Sequence, residues 1–331
     1  MTAARRARTL PAVPSPDRAH PHAIVVVGSL NADLVVGVPR FPAPGETLIG
    51  EGFEMVPGGK GANQACAAAR LGGLVAMVGQ VGADAQGAWL LHALSAAGAD
   101  IDLVATDQAA PSGVALVTRA RSGQNTIVVA PGANGRFSPD RLAPALAALR
   151  QARVVLLQLE VPLETVVRAA AEARAGGATV LLDPAPARPL PDDLLAMTDF
   201  LTPNETELAV LTGRPPEEEA GLDEMSRSAA LLLERGAGHV LVTRGARGAV
   251  VWSAGSGPRE VPAFPVTAVD TTAAGDAFNG ALAVAIAEDQ SLADGLRFAA
   301  AAAALSVTRP GAQTSMPCRP DVTALLGRPL P

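Results

Sequence analysis

Cysteine is scarce: Cys66 and Cys318 are the only two in 331 residues, far apart and forming no C-x-x-C pair. That usage fits a reducing cytoplasm, with Cys66 expected as a small core residue. Histidine is nearly as sparse. His20, His22, His92 and His239 show no metal-ligand spacing, which excludes a transition-metal centre. No apolar run approaches the roughly 20 residues that span a bilayer, so no membrane partner is expected. An excess of positive charge is also missing. The net charge of −6 and pI near 5.3 argue against a nucleic-acid binder, which would carry a basic face. Tyrosine is absent, and aromatic residues make up 3% of the chain. Residues 1–22 hold Arg5, Arg6 and Arg8 among Pro, Ala and Ser but lack an apolar segment, which excludes a secretory signal. A disordered tail is expected there, with a transit peptide as the alternative.

What is present describes a soluble globular protein: 49% hydrophobic and 18% charged residues, in a length suited to one large α/β domain or two smaller ones. Residues 23–27 are a β-branched run ending at Gly28-Ser29, which predicts a strand buried on both faces. From residue 74 strand and helix patterns alternate. Strands are expected over 74–78, 154–157, 179–182 and 240–243. Helices are expected over 64–71, 85–97, 142–150, 164–175, 224–235, 277–287 and 292–307. Repeated βαβ units predict a doubly wound, mostly parallel sheet flanked by helices. The polar strand-end residues Asn31, Asp33, Glu160, Asp183, Asn204 and Thr243 would then collect along one edge, where ligands bind in open α/β sheets. Thr202 and Asn204 are both available to cap a helix through Leu211. Two stretches break the pattern, about 34–57 and 113–130. Short strands at 34–38, 46–50, 113–118 and 125–129, the last pair joined by a Ser122-Gly123 turn, predict a small antiparallel sheet serving as lid or dimerisation surface.

The chemistry concentrates in Asp270-Thr271-Thr272-Ala273-Ala274-Gly275-Asp276 and the helix formers after it. Small residues leave the first helical N–H groups uncovered, and the helix dipole makes that spot suit an anion. An acid in a first turn can simply favour the dipole. Next to an anion site Asp276 reads more sharply, as a general base taking a hydroxyl proton during phosphoryl transfer. Gly58-Gly59-Lys60-Gly61-Ala62-Asn63 is neither a P-loop nor a G-x-G-x-x-G fingerprint. Its glycines allow close backbone approach, and Lys60 and Asn63 can bond hydroxyls. Arg244-Gly245-Ala246-Arg247-Gly248 could lie along phosphates or be a plain β-turn. Residues 308–315, with Asp270, offer only oxygen ligands, which suit a hard cation.

Together these motifs, with Gly28-Ser29-Leu30-Asn31-Ala32-Asp33, Asp183-Pro184-Ala185-Pro186-Ala187, Thr202-Pro203-Asn204-Glu205-Thr206-Glu207 and Val307-Thr308-Arg309-Pro310-Gly311-Ala312-Gln313, resemble the pfkB-type sugar kinases. That family includes ribokinases, fructokinases and adenosine kinase, and the likeness runs from about residue 23 to 331, leaning to the ribokinase-like branch. It implies a single ribokinase-like domain with a lid, and ATP-dependent phosphorylation of D-ribose at O5. On that resemblance Asp276 is the base, and the N–H groups of Ala273, Ala274 and Gly275 hold developing negative charge. Asn31, Asp33, Gly59, Lys60, Asn63 and Glu160 match sugar-binding positions. Asn204 and Glu207 match an element associated with Mg²⁺ and phosphates; Thr243, Gly245, Gly248 and Ala300 fall along the nucleotide, as do Ala274 and Gly275. Asp270, Thr272, Ser306, Arg309, Gly311 and Ser315 match an activating K⁺ site. The implied partners are the sugar and ATP, with a homodimer formed through the lid sheet. Departures from the pattern are Ala300, where a larger polar residue is common, Asp183, where Asn is common, and Arg244 and Ala246 in the nucleotide loop. The alternatives are a family member acting on deoxyribose or a ketose, or a non-catalytic sugar or nucleotide sensor. With so few rings to stack a purine, an adenosine kinase fits less well.

Overall fold

A computed structural model describes residues 22–122, 124–215 and 221–327. The tail expected over residues 1–22 lies, apart from His22, outside the described residues, as does Gly123 of the expected turn.

Strand β1 (Ile24–Val27) passes through Gly28-Ser29-Leu30 directly into β2 (Asn31–Val38). Then come β3 (Glu51–Gly58), α1 (Lys60–Arg70), β4 (Val75–Gly82) and α2 (Ala85–Ala96). Three strands follow: β5 (Asp100–Asp107), β6 (Gly113–Ala120) and β7 (Asn125–Ala130). After two 3₁₀ turns the chain forms α3 (Leu146–Gln151), β8 (Val154–Leu157), α4 (Leu163–Gly176) and β9 (Thr179–Leu182). It continues through α5 (Asp192–Met197), β10 (Phe200–Leu201), α6 (Glu205–Leu211) and α7 (Leu222–Glu234). The last strands are β11 (His239–Thr243), β12 (Ala249–Ser253) and β13 (Arg259–Val261), before helices α8 (Ala274–Ala287), α9 (Leu292–Ser306) and α10 (Arg319–Leu326).

Nine strands form one sheet in the order β13-β12-β11-β10-β9-β8-β1-β4-β5, parallel except at β12 and β13. β1 lies between β4 and β8, so the winding reverses at its carboxyl end, the position at which such sheets bind ligands. The β1 side chains explain the absence of polar alternation. Ile24 and Val26 enter a core shared with α1, α8 and α9, whereas Val25 and Val27 enter a second core against α4, α5 and α7. Alanine in α1, α8 and α9 lets these helices lie close. At Gly280 an added methyl would sit 2.7 Å from the Ala67 Cβ and 2.8 Å from the Gln64 carbonyl oxygen, so α1 and α8 touch almost backbone to backbone. That contact sets Asn63 and Gln64 opposite Asp276.

The expected second sheet is present, with differences. Its order is β3-β2-β6-β7, and β2 pairs with β6 in parallel rather than antiparallel fashion. The strand expected over 46–50 is a loop, and the pairing strand is β3. Pro39, Pro42 and Pro44 cannot donate to a ladder, and Glu46 instead accepts from Ala43 N–H and pairs with Arg40. Residues 142–150 are also not one helix; a 3₁₀ turn over Pro139–Ala145 containing Pro144 precedes the shorter α3. Helix α1 starts at Lys60, four residues earlier than expected. Strand β5 and helix α10 were not foreseen, and β10 is only two residues long.

Candidate active site

Helix α8 begins with a forced turn. Its N-cap, Ala273, has φ 60°, a left-handed conformation that costs a Cβ-bearing residue roughly 1 kcal/mol or more. The first helical N–H, on Ala274, makes only a long 3.4 Å contact to the Thr271 carbonyl, so the turn presents donors to its surroundings. Asp276 follows, 5% exposed. Asn63 Nδ2 donates to its Oδ2 at 2.9 Å and Gln64 Nε2 to its Oδ1 at 3.0 Å. Burial raises its pKa, opposed by Lys60 and by these two amides.

Gly59, at φ 87°, caps α1 in a conformation that favours glycine, and a methyl there would lie 2.7 Å from Asn31 N. The following residue, Lys60, carries its amine into a basin of acids. Burial works against its charge, but Asp183, Asp276, Glu160 and Glu207 outweigh it and raise the Lys60 pKa. Glu160 accepts from Ser29 Oγ at 2.5 Å and from Lys60 N–H at 3.0 Å. Asn31 and Asp33 share one face of β2. Asn31 Oδ1 accepts from Asn134 Nδ2 at 2.8 Å, and Asn134 also brackets the Leu30 backbone through both its amide atoms. Asp33 Oδ1 is buried without a partner. Burial first, then Glu160 and Asp276, push its carboxyl up to about 7. The expected sugar-side residues Asn31, Asp33, Gly59, Lys60, Asn63, Glu160 and Asp276 therefore converge on one place.

A cavity of about 200 Å³ adjoins them, lined by Lys60, Asp183, Asn204, Glu207 and Thr243 together with the Thr271–Asp276 turn. Asn204 rather than Thr202 caps α6. It forms a capping box with Glu207: Asn204 Oδ1 accepts from Glu207 N–H and Glu207 Oε2 from Asn204 N–H, each at 2.8 Å. Those bonds fix both side chains and leave the other Glu207 oxygen uncommitted. Asp183 is pushed well above the usual carboxylate range by burial, with Lys60 opposing and Glu207, Asp276 and Glu160 adding to the rise. Gly245 and Gly248, at φ 54° and 79°, shape a 3₁₀ turn beyond Thr243 and do not line the cavity. Ala300 packs into the core of α9 and presents no polar group.

Two cation sites can be tested against these donors. Around the cavity Asp183, Asn204, Glu207 and Thr243 offer oxygen ligands, which fit Mg²⁺. Among the described residues no three His, Cys, Asp or Glu side chains group to hold a metal, so such an ion would take most ligands from phosphates and water. Asp270, just before α8, faces the loop after α9: it accepts from Thr272 N–H at 2.9 Å and from Gly311 N–H of that loop at 3.0 Å, and Arg119 of β6 approaches at 3.4 Å. Burial opposes its charge, but the bonds from Thr272 and Gly311 and the Arg119 guanidinium hold its pKa down. Ser306 and Ser315 donate their hydroxyls to the Ala303 and Ala312 carbonyls at 2.9 Å, leaving oxygen lone pairs free. With Thr272, Arg309 and Gly311 they give a loop of oxygen donors bearing one carboxylate, which fits a monovalent cation.

Four polar side chains were not singled out from the sequence: Ser29, Gln64, Asn134 and Gln158. Each is fully or almost fully buried. Gln64 and Asn134 lie inside stretches rich in small residues, and their partners are brought to them only by the fold, so the local sequence carries no signal for them.

The chain matches the family model described as pfkB family carbohydrate kinase over residues 21–319. It is 42% identical over 303 residues to a ribokinase of Haemophilus influenzae, covering 92% of this chain and 98% of that one. A deoxyribokinase of Salmonella typhi is 38% identical over 295 residues, at 89% and 95% coverage. Among solved structures, Arabidopsis thaliana ribokinase complexed with ribose and ATP superposes with a TM-score of 0.86 at 39% identity, covering 93% of this chain and 99% of that one.

Proposed function

The chain belongs to the pfkB family of carbohydrate kinases, and from that premise we propose that it transfers the terminal phosphoryl group of ATP to O5 of D-ribose. The observation that carries the reading is Asp276, a buried carboxylate held by two amides at the start of α8, between the polar sugar-side cluster and the cavity. On this reading Asp276 accepts the hydroxyl proton as the oxygen attacks. The N–H groups of Ala273, Ala274 and Gly275 stabilise charge on the transferring group, and preorganised donors of this kind contribute about 10²–10³ in rate each. Lys60 adds positive charge on the same side. Asn31, Asp33, Gly59, Asn63 and Glu160 orient the sugar, because unpaired buried polar groups penalise a ligand lacking a matching hydroxyl.

The nucleotide would run from the α8 turn past Thr243 towards Gly245, Gly248 and Ala300, with Asn204 and Glu207 at its phosphates. Mg²⁺ bound with it would supply neutralisation of phosphate charge. Asp270, Thr272, Ser306, Arg309, Gly311 and Ser315 would hold K⁺, whose bound loop braces the α8 turn. A homodimer would bury the exposed row Met55, Leu116 and Val128, which the strand register places side by side across the second sheet with Leu34. Free Cys66 and Cys318 suit the reducing cytoplasm as the working compartment. Among the described residues no helix is long and apolar enough to cross a membrane.

The deoxyribokinase relative makes 2-deoxyribose the second reading. Measuring ATP consumption with Mg²⁺ and K⁺ on ribose, 2-deoxyribose, fructose and adenosine separates them. Ribose should turn over fastest. A higher kcat/KM on 2-deoxyribose would replace the first reading with the second, and inactivity on every sugar would remove both.

A further inference from the structure

Gln64 of α1 reaches two carboxylates carried by different elements. Its Nε2 lies 3.0 Å from Asp276 Oδ1 and 2.8 Å from Asp183 Oδ2, so each of its two N–H hydrogens serves one acid. Its Oε1 accepts from Gln158 Nε2 at 2.5 Å, and that bond decides which way the amide faces. Reversed, Gln64 would set an oxygen against two carboxylates. Gln158, just past β8, is itself boxed in: a methyl on Gly28 would lie 1.9 Å from its Oε1, which is buried without a partner.

We propose that Gln64, oriented by Gln158, is a positioning residue that holds the general base and ties it to Asp183 on the cavity side. The proposal rests on the reading of Asp276 as the base. With Asn63 on Oδ2 and Gln64 on Oδ1, the Asp276 carboxylate cannot rotate, and a lone pair on each oxygen remains for the substrate. The charges around it come from several elements: Lys60 of α1, Asp33 of β2, Glu160 beyond β8, Asp183 beyond β9 and Glu207 of α6. Four acids facing one lysine favour a protonated base. Two amides that cannot lose a proton work the other way, without adding a charge that the incoming phosphates would have to meet. Gln158 touches neither acid and acts only through the direction it gives Gln64.

The test is steady-state kinetics on ribose and ATP across pH for the full-length wild type, Gln64→Met, Gln158→Met and the double variant. Met keeps the length of the side chain and removes the amide. Gln64→Met should lower kcat about 10–100-fold near neutral pH, the loss of a bond to a charged group, with KM for ribose changed less than about threefold. The acid limb of its kcat profile should move up by about one pH unit. Gln158→Met should move the limb in the same direction by less. The double variant should be no worse than Gln64→Met, because the two act in series. An unmoved acid limb in Gln64→Met, or losses that add in the double variant, would overturn the proposal. If Gln64→Met does not fold, Gln158→Met carries the test, and an unmoved limb there overturns it equally. A wild type that ignores ribose would defeat the functional reading instead, and is recognised before any variant is made.

Discussion

Replacing Asp33 with Asn should stabilise the ligand-free protein while damaging its work on the sugar. Asp33 is partly buried, with Oδ1 enclosed and unpartnered, and burial, Glu160 and Asp276 push its carboxyl up to about 7 from an ordinary 3.8. An acid whose folded pKa is raised contributes stability that is complete below the unfolded value and is lost as pH rises through the folded one. The gap between 3.8 and about 7, at about 1.4 kcal/mol per pKa unit, sets a ceiling of ~4 kcal/mol on that loss. About 3 kcal/mol of it falls between pH 5 and pH 8, since the term declines steadily from 3.8 and is flat above about 7. Asn has nearly the same shape and does not titrate, so it should also fit against Gly58, where even a methyl would come within 2.2 Å of Asp33 Oδ2. Thermal unfolding of both proteins at pH 5 and pH 8 reads the effect directly. The Tm of Asp33→Asn should exceed that of the parent by a margin several degrees wider at pH 8 than at pH 5. In turnover the same variant should raise KM for ribose about 10–100-fold, because a charge-assisted bond is lost. A Tm margin that does not change with pH would show that Asp33 is no burden in the apo state, and the electrostatic reasoning would fail.

Other variants probe the remaining parts. Asp276→Asn should bind ribose and ATP as before while kcat drops about 10²–10⁴-fold, measured by equilibrium binding beside turnover; near-normal turnover would remove its role as base. Activity should be higher in K⁺ than in Na⁺ at equal ionic strength, and Asp270→Ala should flatten the difference; identical rates in both salts for the wild type would contradict the cation loop. Leu116→Glu, which puts a charge into the exposed row of the second sheet, should convert a dimer to a monomer in light scattering, and a wild type that is already monomeric would dismiss that interface.

The sheet and most of its helices were readable because β1, β8, β9 and β11 are unbroken β-branched or leucine runs, a pattern produced by helices on both faces. Strand β5 was not, because it lies at the sheet edge, where Asp100 and Asp102 break up the continuous apolar run that marks the inner strands. Strand β3 was placed too early because Leu48-Ile49 looks like strand and Gly52 and Pro57 do not, yet the ladder uses the latter segment. The parallel pairing of β2 with β6 depends on a crossover through β3–β5, which no local pattern reports. In the site, residues that carry charge or sit at turns stood out: Lys60, Asp33, Glu160 and Asp276. Of the amides around them Asn63 stood out in its glycine-rich loop, but Gln64 and Gln158 did not, since a Gln within an Ala-rich helix gives no periodic signal and acquires its role only when α1 meets α8 at Gly280.

The chain leaves the large sheet after β1 and places Asn31 and Asp33 on the first strand of the small one in chain order, whereas Asp276, the proposed base, and the turn before it belong to α8. On the proposed reading, sugar recognition is thus divided between the small sheet, which carries Asn31 and Asp33, and large-sheet elements that carry Lys60, Asn63 and Glu160 beside Asp276. Substitutions confined to the small sheet would then alter the sugar contacts of Asn31 and Asp33 while the Asp276 geometry stays as it is. A family built this way can acquire new substrates without reinventing how it moves phosphate.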